Sequence, residues 1–198
     1  MKAVRIFIVF LWIGTISSCS PEADKILIFS KTEGSRQGSI EAGVVAMKRL
    51  GEEKGFLVEA TEDVSYFTEE VLRNYAAVVF LNTTGDILNG PQRADFERYI
   101  QAGGGFVGVH AATDTEYDWP WYNKLVGADF DGGRAFFTEM DHSDDSFEDP
   151  IFMEHLWGGL RYVVGKDKLD YGKARTERIP EENRYVRQVL DQNLDEPM

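Results

Sequence analysis

The chain has 198 residues, 43% of them hydrophobic, which is about one domain's worth with enough apolar material for a packed core. Thirty-four acidic residues against 21 basic ones leave a formal charge of −13. Such a surface is repelled by nucleic acid and by anionic lipid, so neither is expected as a ligand, whereas a neutral small molecule or a metal cation is compatible with it.

Residues 1–19 read as an export signal. Lys2 and Arg5 precede an apolar run from Ile6 to Ile13 that then turns small and polar. The run is too short to cross a bilayer as a stable helix. It ends Ile16-Ser17-Ser18-Cys19, and an aliphatic residue, two small residues and a cysteine resemble the bacterial lipoprotein cleavage box. On that reading Cys19 is lipidated and becomes the mature N-terminus, placing the protein in a bacterial cell envelope outside the cytoplasm, and several acyl chains hold it firmly. The alternative is an ordinary secretory signal that contains a cysteine. Cys19 is the sole cysteine, so no internal disulfide forms. Residues 20–24 form a short tether.

The first strand is expected at Lys25–Ser30, with a turn at Lys31 to Gly34. A helix follows over Ser39–Lys54, where Ile40, Val44, Met47 and Leu50 recur at helical spacing and Gly55 stops it. The second strand is Phe56–Ala60. Thr68, followed by Glu69 and Glu70, N-caps a short helix. The continuous apolar run Ala76–Leu81 is the third strand, and Asn82-Thr83-Thr84-Gly85-Asp86 its tip. Pro91 opens a helix to about Ala102, with Phe96, Tyr99 and Ile100 inward. Gly103 to Gly105 end that helix and lead into a fourth strand, Phe106 to Val109, which stops at His110. A short helix spans Trp119–Leu125, a turn Asp131 to Gly133, a fifth strand Arg134–Thr138, and a last helix Pro150–Val164. From Lys166 the composition turns polar and reads as a linker or tail, within which Tyr185, Val186 and Val189 could dock. Alternating strands and helices predict an α/β fold, a doubly wound parallel sheet of about five strands with helices on both faces.

Ligands of open parallel sheets bind outside the strand C-termini. The tips offer Thr32 and Glu33, then Thr83, Thr84 and Asp86, then His110 and Asp114, then Asp141, His142 and Ser143. Histidines beside carboxylates suit acid–base chemistry, since His titrates near neutrality and a carboxylate orients it. The same groups can bind a transition metal, but no HExxH or similarly compact ligand spacing occurs. The glycines at 103–105 precede a strand instead of opening a helix, so they are no phosphate loop, and no nucleotide cofactor is indicated. Neither a cofactor nor an oligomeric state can be named from the sequence. A cysteine nucleophile is excluded, since Cys19 lies in the signal, and no GxSxG elbow is present. Trp119, Trp121, Tyr117 and Tyr122 follow His110, and aromatics beside a polar crevice can stack on sugars or simply pack the crossover helix. His155, among apolar neighbours, reads as structural.

Several stretches together, Phe29 to Gly34, VVFLNTTGD, GGGFVGVHAATDTEYDWPWYNKLVGA and the run from Asp131 to Gly165, resemble the ThuA-like, or trehalose-utilisation-like, family over residues 25–165. The resemblance implies a flavodoxin-like sheet of the class I glutamine amidotransferase-like type without the amidotransferase cysteine, and a link to bacterial carbohydrate metabolism. It implies His110 and His142 as an acid–base pair, Asp114 as an orienting or binding group, and Thr32, Glu33, Thr83, Thr84, Asp86 and Trp119 around a small-molecule carbohydrate. Three departures stand out. The family's aromatic-Arg-His after the Thr-Glu-Gly turn is Ser35, Arg36 and Gln37 here, and its Gly-His pair is Asp141-His142. A long family segment after Leu125-Val126-Gly127 is reduced to Ala128, Asp129 and Phe130. The polar tail resembles the lead-in to a sugar-dehydrogenase-like propeller, so a non-catalytic remnant or a piece of a larger multidomain protein is the alternative reading.

Overall fold

The computed structural model describes residues 23–34, 36–127, 133–140, 143–165 and 167–179. Cys19, Asp131, Gly132, Asp141, His142 and Tyr185 lie outside the described residues. Five strands, β1 (Lys25–Phe29), β2 (Leu57–Thr61), β3 (Ala77–Leu81), β4 (Gly105–Val109) and β5 (Arg134–Thr138), make one sheet in the order β2-β1-β3-β4-β5. Every pairing is parallel. The expected doubly wound α/β sheet is therefore present, with the strand order of flavodoxin-like folds and its switch point between β1 and β3.

Helices α1 (Ile40–Lys54) and α5 (Pro150–Val163) cover one face of the sheet; α2 (Glu69–Leu72), α3 (Gly90–Gln101) and α4 (Pro120–Val126) cover the other. The central strands β3 and β4 are buried along their whole length, which is why they read as unbroken apolar runs. Local chemistry sets the ends. Asn89 and Gln92 form a reciprocal capping box at the start of α3, and Thr68 caps α2 through the Val71 amide. Gly103, at φ +107, carries the chain out of α3 in a conformation that L side chains rarely adopt. The second strand starts one residue later than expected. Phe56 donates its amide to the Gly51 carbonyl and stacks on Trp157, so it completes the helix stop before pairing begins.

The face under α3 and α4 is an aromatic cluster. Phe80 sits at its centre, with ring centroids 5.4–5.8 Å from Phe29, Phe67, Phe96, Phe106 and Tyr122. Residues 167–179, expected as part of a polar tail, lie along α3. Thr176 bonds Glu97, Gln101 and Arg98, and Arg178 pairs with Glu70. These contacts join polar groups to the outward face of α3, so no hydrophobic stripe announced them. Among the described residues, no helix is long and apolar enough to cross a membrane.

Phe80 is fully buried. Phe80→Ala should lower the unfolding free energy by about 3–5 kcal/mol, read as a fall in the urea midpoint at unchanged slope. A loss under about 1 kcal/mol would mean that this cluster does not hold the sheet as its packing implies.

Candidate functional site

Parallel pairing does not end at the strand tips. Beyond β1 and β3, Thr32 pairs with Thr84, and beyond β3 and β4, Gly85 pairs with Thr115. Between the sheet and this outer rim the chain turns left-handed at Asn82 (φ 53) and His110 (φ 50). A third such residue, Glu116 (φ 58), follows the rim. Non-glycine residues rarely take this conformation, and it concentrates at functional sites. The Asn82 amide donates to the Val109 carbonyl at 3.2 Å, so the elbows at Asn82 and His110 are neighbours on adjacent strands. His110 is half-buried and opens a single 3-10 turn, His110–Asp114.

The rim is stitched by short-range bonds. Thr83 and Thr115 share a hydroxyl–hydroxyl bond of 2.8 Å, both fully buried. The Glu33 amide donates to the Thr84 carbonyl at 2.8 Å, and Gly85 and Glu116 exchange backbone bonds with Asp114 and Gly85 in turn. At Gly85, φ is +82 and a Cβ would lie 2.8 Å from that of Glu33, so only glycine fits.

Glu116 ties the rim to α3. Its carboxyl is fully buried and accepts from the amides of Ile87 (3.0 Å) and Leu88 (2.7 Å) through one oxygen. The other oxygen meets the Arg93 guanidinium as an ion pair. Burial pushes this carboxyl up to about 7, against the opposing pull of Arg93 and the Leu88 amide. Arg93 also reaches Asp86 at 3.6 Å and lies 5.5 Å over the Trp119 ring.

The expected site residues divide into two groups. Thr32, Thr84, His110 and Asp114 do gather at the C-terminal tips of β1, β3 and β4, and Asp86 and Glu33 are exposed beside them. Asp114 accepts from the Tyr117 hydroxyl at 2.9 Å. Thr83 and Trp119 are corrected. Thr83 is sealed against Thr115, and Trp119 is 7% exposed, donates Nε1 to Glu97 and is stacked between Trp121 and Tyr122. The rim bond to Thr115 takes up Thr83, and packing at the start of α4 takes up Trp119. His155 bonds the Thr138 hydroxyl at 3.2 Å and packs edge-on to Phe136, as a structural histidine would. Among the described residues, no cluster of three or more His, Cys, Asp or Glu could hold a metal.

Sequence reading missed three groups. Asn82 is fully buried, donates Nδ2 to Ser39 Oγ at 2.9 Å, and its Oδ1 has no protein partner among the described residues. Asparagine directly after an apolar strand was the available signal, since it is among the side chains most tolerant of a left-handed backbone. Ser39 and Gln37 belong to a groove of about 400 Å³ at the start of α1, lined by Gln37, Gly38 and Ser39 on one side and Ser143, Asp144 and Asp145 on the other. This groove lies at the strand C-termini, where an open parallel sheet binds its ligands.

Strand order and connections define a flavodoxin-like α/β domain with a crevice at its strand tips. The chain belongs to the ThuA family: the family model described as "Trehalose utilisation" matches residues 25–133. Two solved structures are similar. A protein described as ThuA-like from Bacteroides uniformis is 29% identical, with a TM-score of 0.46 over 61% of this chain and 49% of that one. Another from Parabacteroides merdae is 26% identical, with a TM-score of 0.44 over 53% of this chain and 38% of that one. This chain therefore spans about half the length of these relatives, or less. No curated protein matches.

The Glu116 environment fixes a pH dependence. Its carboxyl ordinarily titrates at 4.5 and in the fold at about 7, so between these values the native state holds a proton that the unfolded chain has lost. Its contribution to stability is full below 4.5 and is lost as pH rises towards 7. In urea unfolding at pH 5 and pH 8, Glu116→Gln should therefore gain stability relative to the parent at the higher pH. The opposite trend would show that Arg93 and the two amides hold the carboxyl ionised.

Proposed function

We propose that this ThuA-family domain acts on a sugar or sugar derivative in a bacterial cell envelope, with His110 as the proton-transfer group. The observation that carries this reading is the left-handed backbone of His110. It holds a half-buried imidazole at the tip of a central, fully buried strand, beside the topological crevice. A side chain so placed is fixed by the sheet beneath it, which is what acid–base catalysis asks of its proton carrier. The family's description supplies the carbohydrate, and the acidic chain is compatible with a neutral one.

A second reading, a sugar-binding module without chemistry, has its own support. Asp114, the carboxylate nearest in sequence, gives an oxygen to Tyr117, and Thr83 and Glu116 are spent on the rim. Within a larger sugar-dehydrogenase-type protein such a domain would bind and present substrate.

Turnover of trehalose, its monosaccharide and oxidised sugar derivatives by the full chain, followed by NMR, separates the two. General acid–base chemistry at His110 requires a fall of about 10²–10⁴-fold in His110→Ala. Turnover unchanged in that variant would remove His110 from the reaction, and binding with no turnover in either protein would favour the module. The envelope address has its own test. Expressed in a bacterium with lipoprotein processing, the parent should incorporate labelled fatty acid and fractionate with membranes, and Cys19→Ser should do neither. Label retained by Cys19→Ser would exclude this anchor.

A further inference from the structure

Residues 167–179 form a strap along α3 that is held differently from the rest of the fold. None of them is fully buried, and their one piece of regular structure is the 3-10 turn Tyr171–Lys173. Leu169 alone among them packs against the aromatic cluster. The other described contacts are polar or cationic. The Asp170 amide donates to the Ala102 carbonyl at 2.9 Å, and the Arg175 and Thr176 amides share the Gln101 side-chain oxygen at 2.7 and 3.0 Å. Arg98 donates to the Thr176 carbonyl at 2.8 Å, and Arg73 lies 5.3 Å over the Tyr171 ring. Arg178 pairs with Glu70 and reaches Asp95, a fully buried carboxylate of α3, at 3.9 Å. Contacts of this kind each add little net stability, and a segment with few buried apolar contacts opens locally well before the fold does.

The strap also touches the support of the crevice. Thr176 donates its hydroxyl to Glu97 Oε2 at 2.6 Å, and Glu97 Oε1 accepts the Trp119 indole N–H at 2.9 Å. One carboxylate is thus shared between the strap and the start of α4. Glu97 lies one helical turn beyond Arg93, and both reach Trp119 from α3. Arg93 lies 5.5 Å over the Trp119 ring while it pairs with Glu116. Glu116 in turn takes the Ile87 and Leu88 amides and closes the rim above the elbows at Asn82 and His110. A docked strap fixes the Glu97 carboxylate. A released one leaves it a donor short and able to turn towards water, and the Trp119 N–H then loses a fixed acceptor.

We propose that residues 167–179 are a detachable latch whose docking on α3, passed through Thr176, Glu97 and Trp119, sets how firmly the Arg93–Glu116 pair holds the crevice rim. Docked, the strap keeps the rim ordered. Released, it loosens Ile87 and Leu88 while the sheet below stays intact. Thr176 and Glu97 are then positioning residues, and the crevice has a control point on the outer side of α3. The device goes beyond the carbohydrate reading and stands whether or not that reading holds, since its two states are defined by amide protection and not by turnover.

The test is amide hydrogen exchange of the full ¹⁵N-labelled chain, read residue by residue by NMR, in the parent, Thr176→Val, Arg178→Gln and Lys173→Gln. In the parent the Arg175 amide should exchange far faster than the Val79 amide of β3, as a detachable segment requires. In Thr176→Val and in Arg178→Gln the Ile87 and Leu88 amides should exchange at least about tenfold faster than in the parent, with Val79 and Val107 unchanged and the Trp119 indole N–H resonance displaced. Lys173→Gln removes only a pair within the strap, to Asp170 at 3.8 Å, and should leave the rim as it is in the parent. An Arg175 amide as protected as Val79 would overturn the detachable strap. Unchanged exchange at Ile87 and Leu88 in Thr176→Val would overturn the relay. Acceleration of Val79 together with the rim would make the effect global and overturn it too, as would equal acceleration of the rim in Lys173→Gln.

Discussion

The buried carboxylate of Glu116 is the constraint on which the site depends. It is the point where the connection after β3, the connection after β4 and helix α3 meet. Taking a carboxylate out of water costs several kcal/mol unless charge and hydrogen bonds compensate. Two amides from one connection and a guanidinium from the helix offset part of that cost, and the raised proton affinity of the carboxyl shows that burial outweighs them. Without the knot, Ile87 and Leu88 would keep only their apolar packing in the aromatic cluster, and the ladder from Thr84 through Gly85 to Thr115 would lose the polar part of its outer support. The elbows at Asn82 and His110 lie directly beneath that ladder.

The same network extends beyond the site. Arg93 lies over Trp119, Trp119 donates to Glu97, and Glu97 accepts from Thr176 in the segment along α3. Aromatic packing and hydrogen bonds thus run without a break from the rim to residue 176. Substitutions within such a chain couple instead of adding, because removing one partner exposes or strands the next. The placement of residues 167–179 on α3 follows from this chemistry: Glu97 keeps one carboxylate oxygen beyond its bond from Trp119, Gln101 offers its side-chain oxygen, and a polar strap with Thr176 and Arg175 fits them.

The frame of the fold was legible because burial writes it in composition. β3 and β4 are covered on both faces, so their sequences are continuous apolar runs, and Thr68 and Asn89 announce helix starts through their short polar side chains. The location of the crevice was also legible, since a parallel sheet leaves one at its strand C-termini. Which side chains enter the crevice was not. Thr83 and Asn82 are adjacent and both polar, yet one is sealed to Thr115 and the other reaches Ser39. The sign of one backbone angle separates them, since Asn82 turns left-handed where its amide meets the Val109 carbonyl on the next strand. Trp119 and Trp121 pose the same difficulty, because a tryptophan that packs a helix and one that stacks on a ligand read alike until the packing is seen.

The groove then puts a local charge pattern inside a global one. A chain at −13 already disfavours anions at long range, but that field is screened within about 10 Å at ordinary ionic strength. At contact distance the partial positive charge of α1 would prevail and draw a phosphate in, were the helix start bare. Glu41 and the Asp144–Asp145 wall act at that range. The charge met at the start of α1 is therefore set by these few residues and not by the overall acidity of the protein.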